Sequence, residues 1–182
     1  MPLLTLAPTG DTVTGNPYPI LIIQPGVPPT HFDKVQTNDG DATRVLNDGV
    51  NTPECDMFTF PACGLPPITP INSVTLHIVA RKVAVGAPLG SNGSARLWTH
   101  AVGYEYAHVL AVVYTDFSDV LALNPNTLAA WTVAEIDAAI FGVRLEYAVS
   151  GVRLTLGVCT QVYLVVSYVS GGLRRMLLGV GL

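Results

Sequence analysis

Two pairs of carboxylates, Asp116 with Asp119 and Glu135 with Asp137, are spaced closely enough to suggest acid–base chemistry. Neither pair has a histidine or arginine at a spacing that completes a site. Asp116 and Asp119 read as turn formers, and Glu135 is accounted for by a helix cap. His77, His100 and His108 fall in strand-like sequence, where a surface or internally paired histidine is the simpler reading. No Gly-x-Ser-x-Gly, no phosphate-binding loop and no Cys/His nucleophile pair is visible. The expectation is therefore a protein that is not an enzyme, with no catalytic residue, no cofactor and no metal.

Two further groups bear on metal or redox chemistry. Asp39, Asp41 and Asp48 sit in "TNDGDATRVLNDG", an oxygen-rich stretch that could hold calcium. The same stretch carries Asn-Asp-Gly at 38–40 and at 47–49, and all three residue types tolerate positive φ, so turns are the favoured reading. Cys55, Cys63 and Cys159 include no Cys-x-x-Cys pair and have no histidine cluster, which argues against zinc. Cys55 and Cys63 could bridge a local hairpin; otherwise the three are small buried hydrophobes.

The composition limits the partners. Hydrophobic residues make up 49% of the 182-residue chain and charged residues 12%, about half the usual charged share. So sparse a charged surface points to cover by other subunits, hence a homo-oligomer, with a trimer as one form. Only two of nine basic residues are lysines, Lys34 and Lys82, and Arg44, Arg81, Arg96, Arg144 and Arg153 are scattered. Direct nucleic-acid binding lacks its electrostatic footprint. The start "MPLLTLAPTGDTVTG" lacks a basic n-region. The apolar stretches are of strand length, so no membrane helix is expected.

Three zones follow along the chain. Residues 1–35 hold seven prolines and read as an extended arm, with Leu3–Leu6 and Ile20–Ile23 as edge-strand pieces, lying on its own domain or over a neighbouring subunit. Residues 36–170 read as one β-sandwich domain. Short strands are expected at Ala42–Leu46 and in "DMFTF". In 73–85, Val74, Leu76, Ile78 and Ala80 face one way and Thr75, His77, Val79 and Arg81 the other. Strands are also expected at 95–102 and 105–116, in "FGVRLEYAVS", and in "VRLTLGVCTQVYLVVSYV". In the last, Val158, Thr160, Val162, Leu164, Val166 and Tyr168 share a face, and both faces are apolar enough for a central strand. Residues 171–182 form an apolar tail behind Gly171-Gly172, expected to dock on the body or on a neighbouring subunit.

One helix signal stands out. Thr132 with Glu135 makes a capping box, Trp131 can staple onto Ile136, and "VAEIDAA" is good helix sequence. A helix this short is unstable alone, so Trp131, Ile136 and Ile140 must dock it, and it is expected to plug one end of a sandwich where the chain crosses between sheets. Trp131 is then core and not a ligand platform.

The stretch "NPNTLAAWTVAEIDAAIFGVRL", followed by "VCTQVYLVVSY", resembles the C-terminal part of small β-sandwich proteins among the virion components of tailed bacteriophages. "DGDATRV" (39–45) resembles their early strand, with Arg44 where an aromatic is frequent. The proline-rich arm and the tail fall outside the likeness. The resemblance implies an all-β, jelly-roll type sandwich with one short helix near 132–140 and an extended N-terminal arm. It implies a virion structural protein, foremost a capsid decoration or cement protein that bridges shell subunits and contacts itself and the major capsid protein. A tail or head-fibre component is the close alternative. A carbohydrate-binding sandwich is the reading from another class, with Trp98, Tyr104 and Tyr106 as its clustered aromatic candidates.

Overall fold

A computed structural model describes residues 1–23, 30–47, 53–85, 92–150 and 153–170. The chain begins with β1 (Leu3–Leu6), β2 (Gly10–Thr12), β3 (Ile22–Ile23), a 3-10 turn at Phe32–Val35, and β4 (Val45–Leu46). Then come β5 (Glu54–Thr59), β6 (Ile71–Val85), β7 (Asn92–Thr99), β8 (Val102–Val109) and β9 (Thr115–Leu121). The helix α1 (Val133–Ala138) leads into β10 (Ile140–Leu145), β11 (Tyr147–Ser150) and β12 (Arg153–Tyr168).

Two antiparallel sheets form an all-β sandwich. One runs β3-β4-β12-β6-β9, with β1 and β11 also paired to β12; the other runs β2-β5-β10-β7-β8. Successive segments repeatedly change sheet, from β5 to β6, β6 to β7, β8 to β9, β9 to β10 and β10 to β11, in the manner of a jelly-roll type fold. The central pair is β6 with β12, in register from Leu154↔Val85 to Tyr168↔Ile71. Val74, Leu76, Ile78 and Ala80 are buried as their alternation requires. β12 is central: β6 lies along one edge, and β11, β4 and β1 share the other.

The pairing of β12 with β6 is irregular at two points, near its end at Ser167/Tyr168 and, with more consequence, in its middle. The pairing with β6 shifts between Cys159 and Gln161, so Thr160 is an extra residue in a bulge. The core face therefore moves from Cys159 to Val162, Leu164 and Val166, and Val158 does not share a face with Val162 as the uninterrupted pattern predicts. The buried Thr160 Oγ1 lies 2.9 Å from Thr43 O, 3.1 Å from Asp39 Oδ1 and 3.3 Å from Thr37 O. The bulge thus anchors the turn-rich segment that precedes β4.

Other boundaries differ for local reasons. The strand expected at 95–102 ends at Thr99, because His100 and Ala101 take φ of 52° and 60° and turn the chain into β8. The strand expected at 105–116 is divided between β8 and β9. "FGVRLEYAVS" is split at Glu146, whose N–H donates to Asn92 O and whose carbonyl accepts from Gly157, as the chain changes sheet. β4 covers only Val45–Leu46.

The helix has its capping box: Glu135 N–H donates to Thr132 Oγ1, and the Thr132 N–H donates to the Glu135 carboxylate. Trp131, Val133 and Ile136 are buried. Ile140 is only half-buried, so Val133 takes the docking role expected of it.

The described part of residues 1–35 lies on its own body. β1 pairs with β12, β2 with β5 and β3 with β4, and Leu6, Leu21 and Val35 reach the core. The apolar tail, 171–182, lies outside the described residues.

Candidate functional site

The four histidines share one feature: each faces a carboxylate. His31 Nδ1 is 2.6 Å from Asp56 Oδ2, His77 Nδ1 is 2.9 Å from Asp116 Oδ1, and His108 Nε2 is 2.9 Å from Asp119 Oδ2. His100 Nε2 is 3.4 Å from Glu135 Oε1. The partners come from other elements: β9 supplies Asp116 and Asp119, and α1 supplies Glu135. Asp116 and Asp119 are thus strand residues, not the turn formers expected. The spacing along the chain hid these pairs, because each joins segments that meet only in the folded chain.

The pair with the most enclosed setting, His31 with Asp56, has no motif in the sequence. Asp56, on β5, is 4% exposed, and His31 stands just before the 3-10 turn. The hydrogen bond to Asp56 raises the pKa of His31, although burial opposes it. Burial raises Asp56 above the usual carboxylate range, while His31 pulls it back. Both shifts fit a pair that holds a proton between its members. Asp11, on β2, accepts from the backbone N–H of His31 (3.2 Å) and of Phe32 (2.7 Å). These three residues, with Thr12, Val13, Asn16, Ile20 and Met57, line a cavity of about 480 Å³. The sequence held one faint cue, an aspartate inside the otherwise apolar strand "ECDMFT".

A second group lies on the outer face of the β6 sheet. His77 stacks on Tyr163 with ring centroids 4.3 Å apart, and the Tyr163 hydroxyl donates to Asp116 Oδ2 at 2.7 Å. Burial and the adjacent Asp116 push the Tyr163 phenol up to about 12. The group is stacked and paired internally.

The aspartates weighed for calcium are engaged elsewhere. Asp41 accepts from Arg81, Arg44 and the Tyr114 hydroxyl, and the Arg81 guanidinium leads in holding its carboxyl down at about 2. Burial works against Asp39, but hydrogen bonds from Thr43 and Thr160 keep it below its ordinary range. Asp48 lies outside the described residues. Among the described residues no group of three or more His, Cys, Asp or Glu is arranged to hold a metal.

Cys55, Cys63 and Cys159 are all buried free thiols, so the Cys55–Cys63 bridge is not formed. Burial pushes Cys159 up to about 12 and Cys55 higher still.

The aromatic residues weighed for glycan binding are not a shared open platform. Gly15, at φ 73°, sits against Trp98 so closely that a Cβ there would lie 2.5 Å from the indole. Tyr104 and Tyr106 pack against the core. Next to Trp98, the guanidinium carbons of Arg96 and Arg144 lie 5.0 and 5.2 Å from the centroid of Tyr18, whose hydroxyl donates to Glu105. Residues 13–19 therefore strap the outer face of the β7 sheet. Cys55 N–H closes the strap on Pro19 O at 2.8 Å.

The free margins are chemically different. β9 ends one sheet and β8 ends the other, and the His108–Asp119 contact holds these two margins side by side. Half of the exposed large hydrophobic side chains among the described residues occur between 102 and 128, including Val109 (72%), Val113 (64%), Val120 (67%) and Leu128 (75%).

No protein-family model matches the chain, and no curated protein matches it in sequence. Among the described residues no helix is long and apolar enough to cross a membrane.

Proposed function

We propose that this chain is a virion structural protein, a capsid decoration or cement component that bridges shell subunits. The observation that carries the reading is the adjoining margins of β8 and β9, two strand edges with no further strand paired to them among the described residues and fringed with exposed valine and leucine. Natural sheets usually blunt such edges with charge, proline or cover. Here the cover is another subunit, either a second copy or the major capsid protein. The low charged fraction of the chain supports the same reading, as does the likeness of 124–145 and 158–168 to phage β-sandwich proteins. The work is mechanical, so no residue is assigned a catalytic role and no cofactor is required. The same margin would serve a tail or head-fibre position.

The test is to locate the chain in particles. Purified virions should contain it in stoichiometric amount by quantitative mass spectrometry, and antibodies raised against it should label intact heads in electron microscopy. Absence from purified particles overturns the proposal, and labelling confined to tails moves it to the tail alternative.

A further inference from the structure

We propose that the cavity bounded by Asp11, His31 and Asp56 binds an alkylammonium group, a primary amine carried on a short aliphatic chain. The cavity measures about 480 Å³ and its lining divides by chemistry. Val13, Ile20 and Met57 supply aliphatic surface, and the first two are 72% and 52% exposed. Such side chains gain from being covered by a hydrocarbon chain.

The polar lining keeps acceptor capacity free at Asp11. Asn16 is committed, with its amide nitrogen donating to Cys55 O and its oxygen accepting from Tyr18 N–H. Thr12 Oγ1 accepts from Thr14 N–H. Each Asp11 oxygen accepts one backbone N–H, from His31 or Phe32, and a carboxylate oxygen has room for a second donor. The complement to this lining is therefore a hydrogen-bond donor.

Charge narrows the donor to a cation. His31 and Asp56 are 2.6 Å apart and partner each other. Among the described residues Asp11 has no arginine or lysine partner, so its negative charge is left over. Phosphate and carboxylate ligands are disfavoured by that charge, and a neutral polyol leaves it unmatched. Among the described residues the walls contain no aromatic ring of the kind that cages a quaternary ammonium. A primary ammonium can donate to Asp11 while its chain lies on Val13 and Ile20. This inference stands apart from the assembly reading and survives its failure.

The probe is hexylammonium chloride, titrated into the full chain at low salt and followed by amide chemical shifts. Saturable shifts should concentrate at Asp11, Val13, Ile20 and Met57. Hexanol, which has the chain without the charge, should bind at least about fivefold more weakly, as should Asp11→Asn, the loss expected for one partly exposed charge. The Asn side-chain oxygen can still accept from Phe32 N–H, while the bond from His31 N–H is lost, so the melting curve of this variant is recorded beside the titration. Ile20→Ser, at an exposed position, tests the wall and should also weaken binding. Nα-acetyl-lysine methylamide distinguishes the sources. If it binds as well as hexylammonium, the occupant is a lysine side chain of another protein, and if hexylammonium alone binds, it is a free amine. Equal binding of hexanol, unchanged affinity in Asp11→Asn, or no saturable binding of either amine overturns the proposal.

Discussion

The Trp131 indole Nε1–H donates to the carbonyl of Leu121, 3.1 Å away. That bond ties the entry of the helix to the end of β9, ten residues earlier in the chain. Trp131 is also buried with Val133 and Ile136, so one side chain supplies both the apolar anchor and a polar tether. The short helix needs both, since it makes too few internal hydrogen bonds to persist alone.

Trp131→Ala should lower the stability of the fold by about 3–5 kcal/mol, the usual cost of deleting a large buried aromatic. Trp131→Phe keeps most of the bulk and loses the tether, at a cost of about 1 kcal/mol. Urea denaturation of both variants measures the two contributions. Equal losses would mean that the hydrogen bond, not the packing, holds the helix.

Thr160→Val isolates the bulge in β12. The substitution keeps the shape and removes the hydroxyl that reaches Thr43 O and Asp39. Those acceptors lose a partner at a position with no solvent exposure, at a cost of about 1–3 kcal/mol. Protection of the Thr43–Leu46 amides against hydrogen exchange should fall further than that of β6. Uniform loss along both strands would show that Thr160 supports the whole sheet and not the turn.

Much of this architecture was legible in the chain. The period of two in 73–85 depends only on which side chains meet the core, and Val74, Leu76, Ile78 and Ala80 are all buried. The capping box is equally local, three residues from end to end. The bulge was not legible, because Thr160 continues the alternation and its effect depends on Thr43 and Asp39 more than a hundred residues away. The turn at His100-Ala101 was hidden for another reason: alanine does not ordinarily take positive φ, and no glycine or asparagine marked the turn.

The cavity was the least visible feature. Asp11, His31 and Asp56 belong to three separate segments, and no spacing rule joins them. They meet because β2 pairs with β5 and the 3-10 turn is capped by Asp11. The described arm, expected either on its own body or over a neighbour, supplies two of the three residues.

Stability should depend on pH through His31 and Asp56. The folded-state pKa of His31 is raised from its ordinary 6.5 by the bond to Asp56, so its contribution is fully present below 6.5 and is lost as pH rises through the higher folded value. Asp56 is also raised, by burial, from 3.8; its ionisation in the folded state is disfavoured, so stability again falls as pH rises. The two effects have the same sign. The thermal midpoint should therefore drop on going from pH 6 to pH 8, and His31→Gln should flatten that dependence. A wild-type midpoint that rises over this interval, or an unchanged slope in the variant, would show that the pair does not link folding to protons.

The last prediction concerns the paired margin. Val109 and Val120 lie on β8 and β9 and are 72% and 67% exposed, so neither supports the core. Lysine at either position should change monomer stability by no more than about 0.5 kcal/mol. Charge on a strand edge opposes further strand addition and desolvation of the valine fringe. Wild-type chain should therefore form oligomers in light scattering, and Val109→Lys with Val120→Lys should shift the mass toward the monomer while the melting curve of the subunit is preserved. Lysine at Val13, which is exposed just beyond β2 at the far end of the sheet that β8 closes, serves as the control and should leave the mass unchanged. If the double variant assembles like the wild type while the Val13 variant does not, subunits meet through the strap face and the β8–β9 margin is ordinary solvent-exposed surface.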